Sequence, residues 1–212
     1  MKKQIILATI LSLSLFGCSQ KNAEKSNEQA AQVIEMNTPD SVDVLNLNLE
    51  NSTLNWQGTK ITGANHKGTV KIAKGALYTQ ENEPVGGEFI LDMTQMTNKD
   101  DDGSSSEVLL KHLQSDDFFD VATYPSAKIE ITKLTPSIKR DFEVEADLTI
   151  KGKTNPVKFT AEINLDEKTA NAEFEIDRTL WDVRYGSGKF FKGLGDNLIK
   201  DEMNFKIDLS FQ

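Results

Sequence analysis

Cysteine is almost missing from this 212-residue sequence: Cys18 is the only one. A single thiol excludes an internal disulfide. Histidine is nearly as scarce, and neither His66 nor His112 has a Cys, His or carboxylate at metal-ligand spacing. The residues therefore give no metal centre and no cofactor fingerprint. Positive charge is also short. The chain sets 24 Lys and Arg against 33 Asp and Glu, a balance that repels nucleic acid and anionic lipid surfaces. Only one long apolar run exists, Ile5 to Phe16 behind Lys2 and Lys3. It is too short for a bilayer and polar sequence follows it, so it reads as a secretory signal segment. Helical periodicity is scarce too: the single candidate is "SEVLLKHL", residues 106–113, where Val108, Leu109, Leu110 and Leu113 can share a face behind a Ser-rich start.

What is present at the signal's end is "LFGC", Leu15 to Cys18, which resembles the lipobox of bacterial lipoproteins. That resemblance implies cleavage after Gly17 and acylation of Cys18, with more than one chain for stable attachment. The expected organisation is a signal peptide over 1–17, a lipidated Cys with a tether over 18–40, and one domain over 41–212. Removing 1–17 takes away two lysines and no acid, leaving 22 cations against 33 anions. The acyl chains, not the folded surface, are then the contact with the membrane. Ser19 to Asp40 contains no aromatic residue and many Gln, Asn, Glu and Lys. Such a tether reaches on the order of 25 Å.

From Ser41 onward the period is two. "FEVEADLTI" puts Val144, Ala146, Leu148 and Ile150 on one face. "VKFTAEINL" does the same with Val157, Phe159, Ala161 and Ile163, and "MNFKIDLSF" with Met203, Phe205, Ile207, Leu209 and Phe211. These are half-buried antiparallel strands. Further strands are expected at 44–49, 53–60, 68–79, 86–93, 127–134 and 172–178, with Gly, Pro, Asn or Asp in the turns. An all-β fold follows, a sandwich or a closed barrel. About eight strands can close around one small ligand or a packed interior.

Five stretches together resemble the YceI-like family: "LNWQGTKITGANHKGTV" (54–70), "GGEFILDM" (86–93), "HLQSDDFFDVATYPSAKIEIT" (112–132), "ADLTIKGKTNPVKF" (146–159) and "FEIDRTLWDVRYGSGKFF" (174–191). The resemblance implies an extended, lipocalin-like antiparallel barrel that holds a long amphiphile, a polyisoprenoid or quinone-like tail. The chain resembles the lipid-anchored branch of that family, Ser19 after Cys18 suits sorting to the periplasmic face of the outer membrane, and the scarcity of catalytic groups gives no case for an enzyme. Inward residues expected to line the ligand are Trp56, Phe89, Leu91, Phe159, Phe174 and Phe205, with Trp181 as an amphipathic wall residue.

Four features stay open at the level of sequence. Phe118 and Phe119, set among aspartates in "SDDFFD", either plug one end of the barrel or touch the ligand. Arg178 shares strand parity with Phe174 and Ile176, so it either turns inward to an acidic partner or a ligand head, or a strand end returns it to water. Asn98, Asp100, Asp102 and Gly103 match four places of a calcium loop, but Leu109 stands where the closing Glu belongs. An exposed edge strand would let two copies pair as a homodimer. "GKT" at 152–154 leads to Pro156 and a strand rather than a helix, which makes it a hairpin turn and not a phosphate cradle. "YGSGKF", 185–190, reads as a loop that needs unusual backbone angles. An enzyme would require a polar cluster such as His66 beside a buried carboxylate.

Overall fold

A computed structural model of the chain describes Met36, Thr38, Pro39 and residues 41–100 and 104–212. The signal segment, Cys18, nearly all of the tether, and Asp102 and Gly103 of the acidic loop lie outside the described residues. In chain order the elements are β1 (Asp43–Asn46), β2 (Thr53–Lys60), β3 (Asn65–Gln80), β4 (Glu83–Asn98), α1 (Ser104–Gln114), β5 (Ser126–Pro136), β6 (Asp141–Ile150), β7 (Lys153–Asn164), β8 (Thr169–Asp177) and β9 (Ile199–Ser210).

Every strand pairing is antiparallel, and the order β3-β2-β9-β8-β7-β6-β5-β4 closes through β3–β4. Eight strands thus form the barrel, as expected from the alternation. The short β1 is an addition that pairs with the lower half of β3, where β2 no longer reaches. One rim carries α1, the 115–125 segment, the 151–152 turn and the long loop after β8. The opposite rim carries the tight turns at 81–82, 137–140 and 165–168.

The period of two decides what is buried. In β6, Phe142, Val144, Ala146, Leu148 and Ile150 all face the core, and their neighbours face out. β3 runs from Asn65 to Gln80, and the register shift between Ile72 and Lys74 changes its parity, so that Ile72 and Leu77 both point inward. Gly68 marks the tightest approach of β3 and β4. A Cβ there would lie 1.8 Å from the Thr97 carbonyl oxygen and 2.8 Å from the Trp56 ring. The helix begins two residues before its sequence signal and ends at Gln114, with Glu107 in its first turn and Lys111 and His112 in its last, each on the side its dipole favours.

The outer wall has one buried region that alternation misses. Glu88 is 1 % exposed although its neighbours Phe89 and Gly87 set it on the outward parity. Lys128 reaches it at 3.0 Å and also meets Glu130 at 3.0 Å. Burial alone would lower the Lys128 pKa, but the two carboxylates outweigh it and raise it. Pro39 and Val42, just ahead of β1, share this groove with Tyr78 and Glu88.

Candidate functional site

The inward side chains do not fill the barrel. Three small cavities run along its length. The lower one, about 60 Å³, lies between Leu77, Phe89, Leu91, Val144, Phe159 and Leu209. A middle one of about 40 Å³ lies between Leu54, Val70, Leu91, Met96, Ile150 and Phe205. The upper one, about 60 Å³, is bounded by Trp56, Leu113, Phe118, Phe119 and Met203, with Lys60 and His66 at its rim. Leu54 and Leu91 belong to both the lower and middle cavities, and Trp56, Leu113, Phe119 and Met203 to both the middle and upper. The cavities are therefore neighbours in a single column. A roomier hollow of about 480 Å³ is bordered by Trp56, Phe174 and Phe205 together with Asn55, Gln57, Lys67, Lys99, Glu173 and Lys206. Its lining mixes aromatic residues with charged side chains, whose burial under hydrocarbon would be costly.

Most residues expected to face a ligand are brought together here. Phe89, Leu91 and Phe159 border the lower cavity, Phe205 the middle one, and Trp56 both the middle and the upper. Phe118 and Phe119 are buried and border the upper cavity, so the pair closes the helical end of the column and also forms its wall. Phe118 packs against His112 and Tyr185, at ring distances of 5.0 and 5.2 Å. Phe174 borders none of the three cavities. It stacks between Phe159, at 4.4 Å, and Phe205, at 5.6 Å.

Trp181 is also away from the column. It is 1 % exposed, and its indole N–H donates to the Leu148 carbonyl at 2.8 Å, pinning the turn after β8 to β6. The physical reason is the end of β8 at Asp177. A 3-10 turn, Arg178–Trp181, breaks the alternation there. Arg178 is buried nonetheless. Its Nε, Nη1 and Nη2 donate to the carbonyls of Lys200, Val183 and Ile199, and Asp201 lies 3.7 Å away. Burial lowers its pKa, and Asp201, Asp177 and Glu202 oppose that. Of the readings left open, the buried one with an acidic partner holds. The guanidinium holds the loop's carbonyls, and Arg178, unlike Trp181, also borders the upper cavity, so the structure does bring this expected lining residue to the column.

His66 Nδ1 meets Asp100 Oδ2 at 2.6 Å, and the Lys67 amide donates to Asp100 Oδ1 at 3.2 Å. Asp100 is thus committed to the end of β3, and Asn98 Oδ1 accepts the Asp100 amide at 3.0 Å. The pair orients an imidazole at the upper rim. His66 thus stands beside a largely buried carboxylate, Asp100 being 14% exposed, which is the arrangement the enzyme reading asked for; among the described residues no hydroxyl or thiol is hydrogen-bonded to that ring. His112, on α1, sits 3.3 Å from Asp117. The 151–152 turn is the expected hairpin, with Lys151 and Gly152 at positive φ and Tyr124 packed beside Gly152. Gly186 in "YGSGKF" also has positive φ, as that loop requires.

Several lining residues carried no separate signal. Met93, Met96 and Ile129 are buried, but Met and Ile on an inward face look the same whether or not a cavity adjoins them. Ala161, Ala170 and Ala172 border the lower cavity. Their small size is what leaves room beside β7 and β8.

A family model for the YceI-like domain matches residues 45–211. The chain belongs to the YceI-like family. Among curated proteins, UPF0312 proteins of Pseudomonas putida strain W619 and strain GB-1 are each 41% identical over 58 residues, 27% of this chain. The match spans about 30% of the length of those relatives. Among solved structures, Burkholderia cenocepacia BcnA has 20% identity and a TM-score of 0.63 over 77% of this chain and 98% of its own. A polyisoprenoid binding domain from Saccharophagus degradans, implicated in plant cell wall breakdown, has 14% identity and a TM-score of 0.57 over 79% and 97%. At these identities the likeness is one of fold.

Proposed function

We propose that this YceI-like chain is a non-enzymatic carrier of the bacterial envelope that holds the apolar tail of a long amphiphile, isoprenoid or quinone-like, inside its barrel. The observation that carries the reading is the column of three adjoining cavities with apolar walls. A hydrocarbon chain gains about 0.8 kcal/mol for each methylene taken out of water, and this column offers no polar group in its lower half to oppose it except Asn171 at the edge. The solved polyisoprenoid binding domain of the same fold supports an isoprenoid as the tail. Lys60 and His66 at the upper rim suit the polar head of such a molecule.

The lipid anchor and the envelope location rest on "LFGC" and on Ser19 after the cysteine. The anchor supplies the membrane attachment that a folded surface of net negative charge does not. Each cavity exceeds the roughly 10–15 Å³ that one water needs, yet falls short of a long chain. A tail must therefore displace side chains, and the partly buried aromatics at β7, β8 and β9 are placed to yield.

The small free volumes favour a second reading, a filled barrel that serves as an interaction module and holds no ligand. Native mass spectrometry of tag-purified Cys18→Ser protein separates the two. A reproducible co-purifying amphiphile, reduced in Phe159→Ala and neighbouring alanine variants that still fold, supports the carrier. Protein that is always free of lipid supports the filled barrel. Incorporation of labelled palmitate into the parent chain, and not into Cys18→Ser, tests the anchor.

A further inference from the structure

The barrel wall has a window. Strands β7 and β8 are neighbours, yet their ladder runs only from Ala161–Asn164 to Thr169–Ala172. Above that, β7 stays fully paired with β6 through Lys153, and β8 stays paired with β9 through Asp177. Two strands firmly held on their outer sides are thus unzipped from each other over Glu173–Asp177. At about 3.3 Å per residue the gap is roughly 16 Å tall. Pro156 lies on the β7 edge and has no N–H to offer a ladder there. The gap closes again at the top, where Asn155 Nδ2 donates to the Leu180 carbonyl at 3.1 Å and Lys153 lies 3.5 Å from Asp182.

Side chains, not main-chain hydrogen bonds, fill this window. Phe159 from β7 and Phe174 from β8 stack across it with 4.4 Å between centroids and 15° between planes. Both are only partly buried, while the inward positions on β6 are buried throughout. Phe159 is at the same time a wall of the lower cavity, and the outward-facing Asn171 borders that cavity as well. The lower cavity thus reaches this seam.

We propose that the β7–β8 seam is the lateral portal through which the apolar tail enters and leaves the barrel, with Phe159 and Phe174 as its movable pane. The proposal rests on the carrier reading above and adds a route. Swinging two aromatic side chains breaks no ladder, whereas an opening between any fully paired strands must break several main-chain hydrogen bonds. The helical end is the costlier way in, because α1, Phe118 and Phe119 pack over it.

The test staples the window shut. In Cys18→Ser protein, which has no other thiol, Lys158→Cys and Glu175→Cys put outward thiols on its two edges. A short bis-maleimide carrying a cleavable disulfide bridges them. The control bridge joins Glu143→Cys to Thr160→Cys, a pair already in register on β6 and β7. Uptake of the fluorescent polyene parinaric acid is followed by stopped flow, and its final level by titration. The proposal expects uptake to slow by roughly tenfold or more in the stapled window, to recover when reductant cleaves the bridge, and to stay unchanged with the control bridge. Equal uptake rates in the stapled and cleaved forms overturn the portal and leave the carrier reading standing. No uptake in any form, parent included, overturns both.

Discussion

Arg178 Nη1 donates to the Val183 carbonyl at 2.7 Å, tying the first residue of the 3-10 turn to the loop that follows it. With the bonds to Ile199 and Lys200, one buried cation gathers three carbonyls from both ends of that loop. Arg178→Met keeps the apolar stem but leaves those three carbonyls without their donor and takes one cation away from Asp201, which keeps Lys189 at 3.4 Å. The expected loss is about 3–5 kcal/mol, as for other buried charge networks stripped of one partner. Arg178→Lys should recover little, since an ammonium is a point charge and cannot span the three directions of a guanidinium. Urea unfolding of both variants checks this, and a lysine variant as stable as the parent would remove the guanidinium geometry from the account.

Asp177, one residue earlier, caps the same turn. Its Oδ1 accepts from the Thr179 amide at 3.0 Å and its Oδ2 accepts from Lys189 at 2.5 Å. Burial pushes its pKa up, but Lys189 and Thr179 together outweigh burial and hold it below the usual aspartate range. A carboxyl depressed in the folded state stabilises above its unfolded pKa, and that stability is lost as pH falls through the folded value. The window is therefore acidic, below about pH 4. Asp177→Asn should lose about 1 kcal/mol at neutral pH, a figure that allows for solvent screening at a side chain 31% exposed. It should also show a shallower fall in stability between neutral and acid pH than the parent. Urea midpoints taken across that range for both proteins decide the matter.

The barrel was legible because its chemistry is repetitive. Val144, Ala146 and Leu148 alternate with acids, and a strand half in water leaves no other arrangement for them. The aromatic end plug was legible only as a pair of outcomes, because Phe118 and Phe119 prove to be both core and cavity wall. What alternation misses depends on contacts between distant segments. Glu88 is buried on the outer face under neighbours that no local pattern announces. Arg178 lies just past the strand end, where parity ceases to define a direction. The β7–β8 window is an absence of pairing, and each of its two edges reads in the sequence as an ordinary strand.

Gly68 offers a test of the register itself. The Cβ of an alanine would need the space now held by the Thr97 carbonyl oxygen, 1.8 Å away, and by the edge of Trp56. Main chain cannot give way as a side-chain tip can, so β3 and β4 must separate locally. Gly68→Ala should destabilise by roughly 3 kcal/mol or more, whereas Gly58→Ala, with nothing within 4 Å of its added Cβ, should change stability by less than about 1 kcal/mol. Thermal melts of the two variants, made side by side, test that contrast. Similar melting temperatures would mean that β3 and β4 are not held as closely as the Gly68–Asn98 and Thr69–Thr97 pairs require.

Phe159 and Phe174 join stability to function. Their stacking at 4.4 Å should appear as a coupling energy of about 0.5–1.5 kcal/mol in a double-mutant cycle of the two alanine variants. Each single truncation, at a partly buried site, should cost about 2–3 kcal/mol. Phe159→Ala also removes a wall of the lower cavity, so the affinity for parinaric acid should fall. The same change thins the pane of the window, so uptake should become faster while affinity drops, and release must then accelerate by more than uptake does. Slower uptake in a folded Phe159→Ala protein would contradict the role of this ring as an obstruction, because a smaller side chain in an unzipped seam can only widen the path.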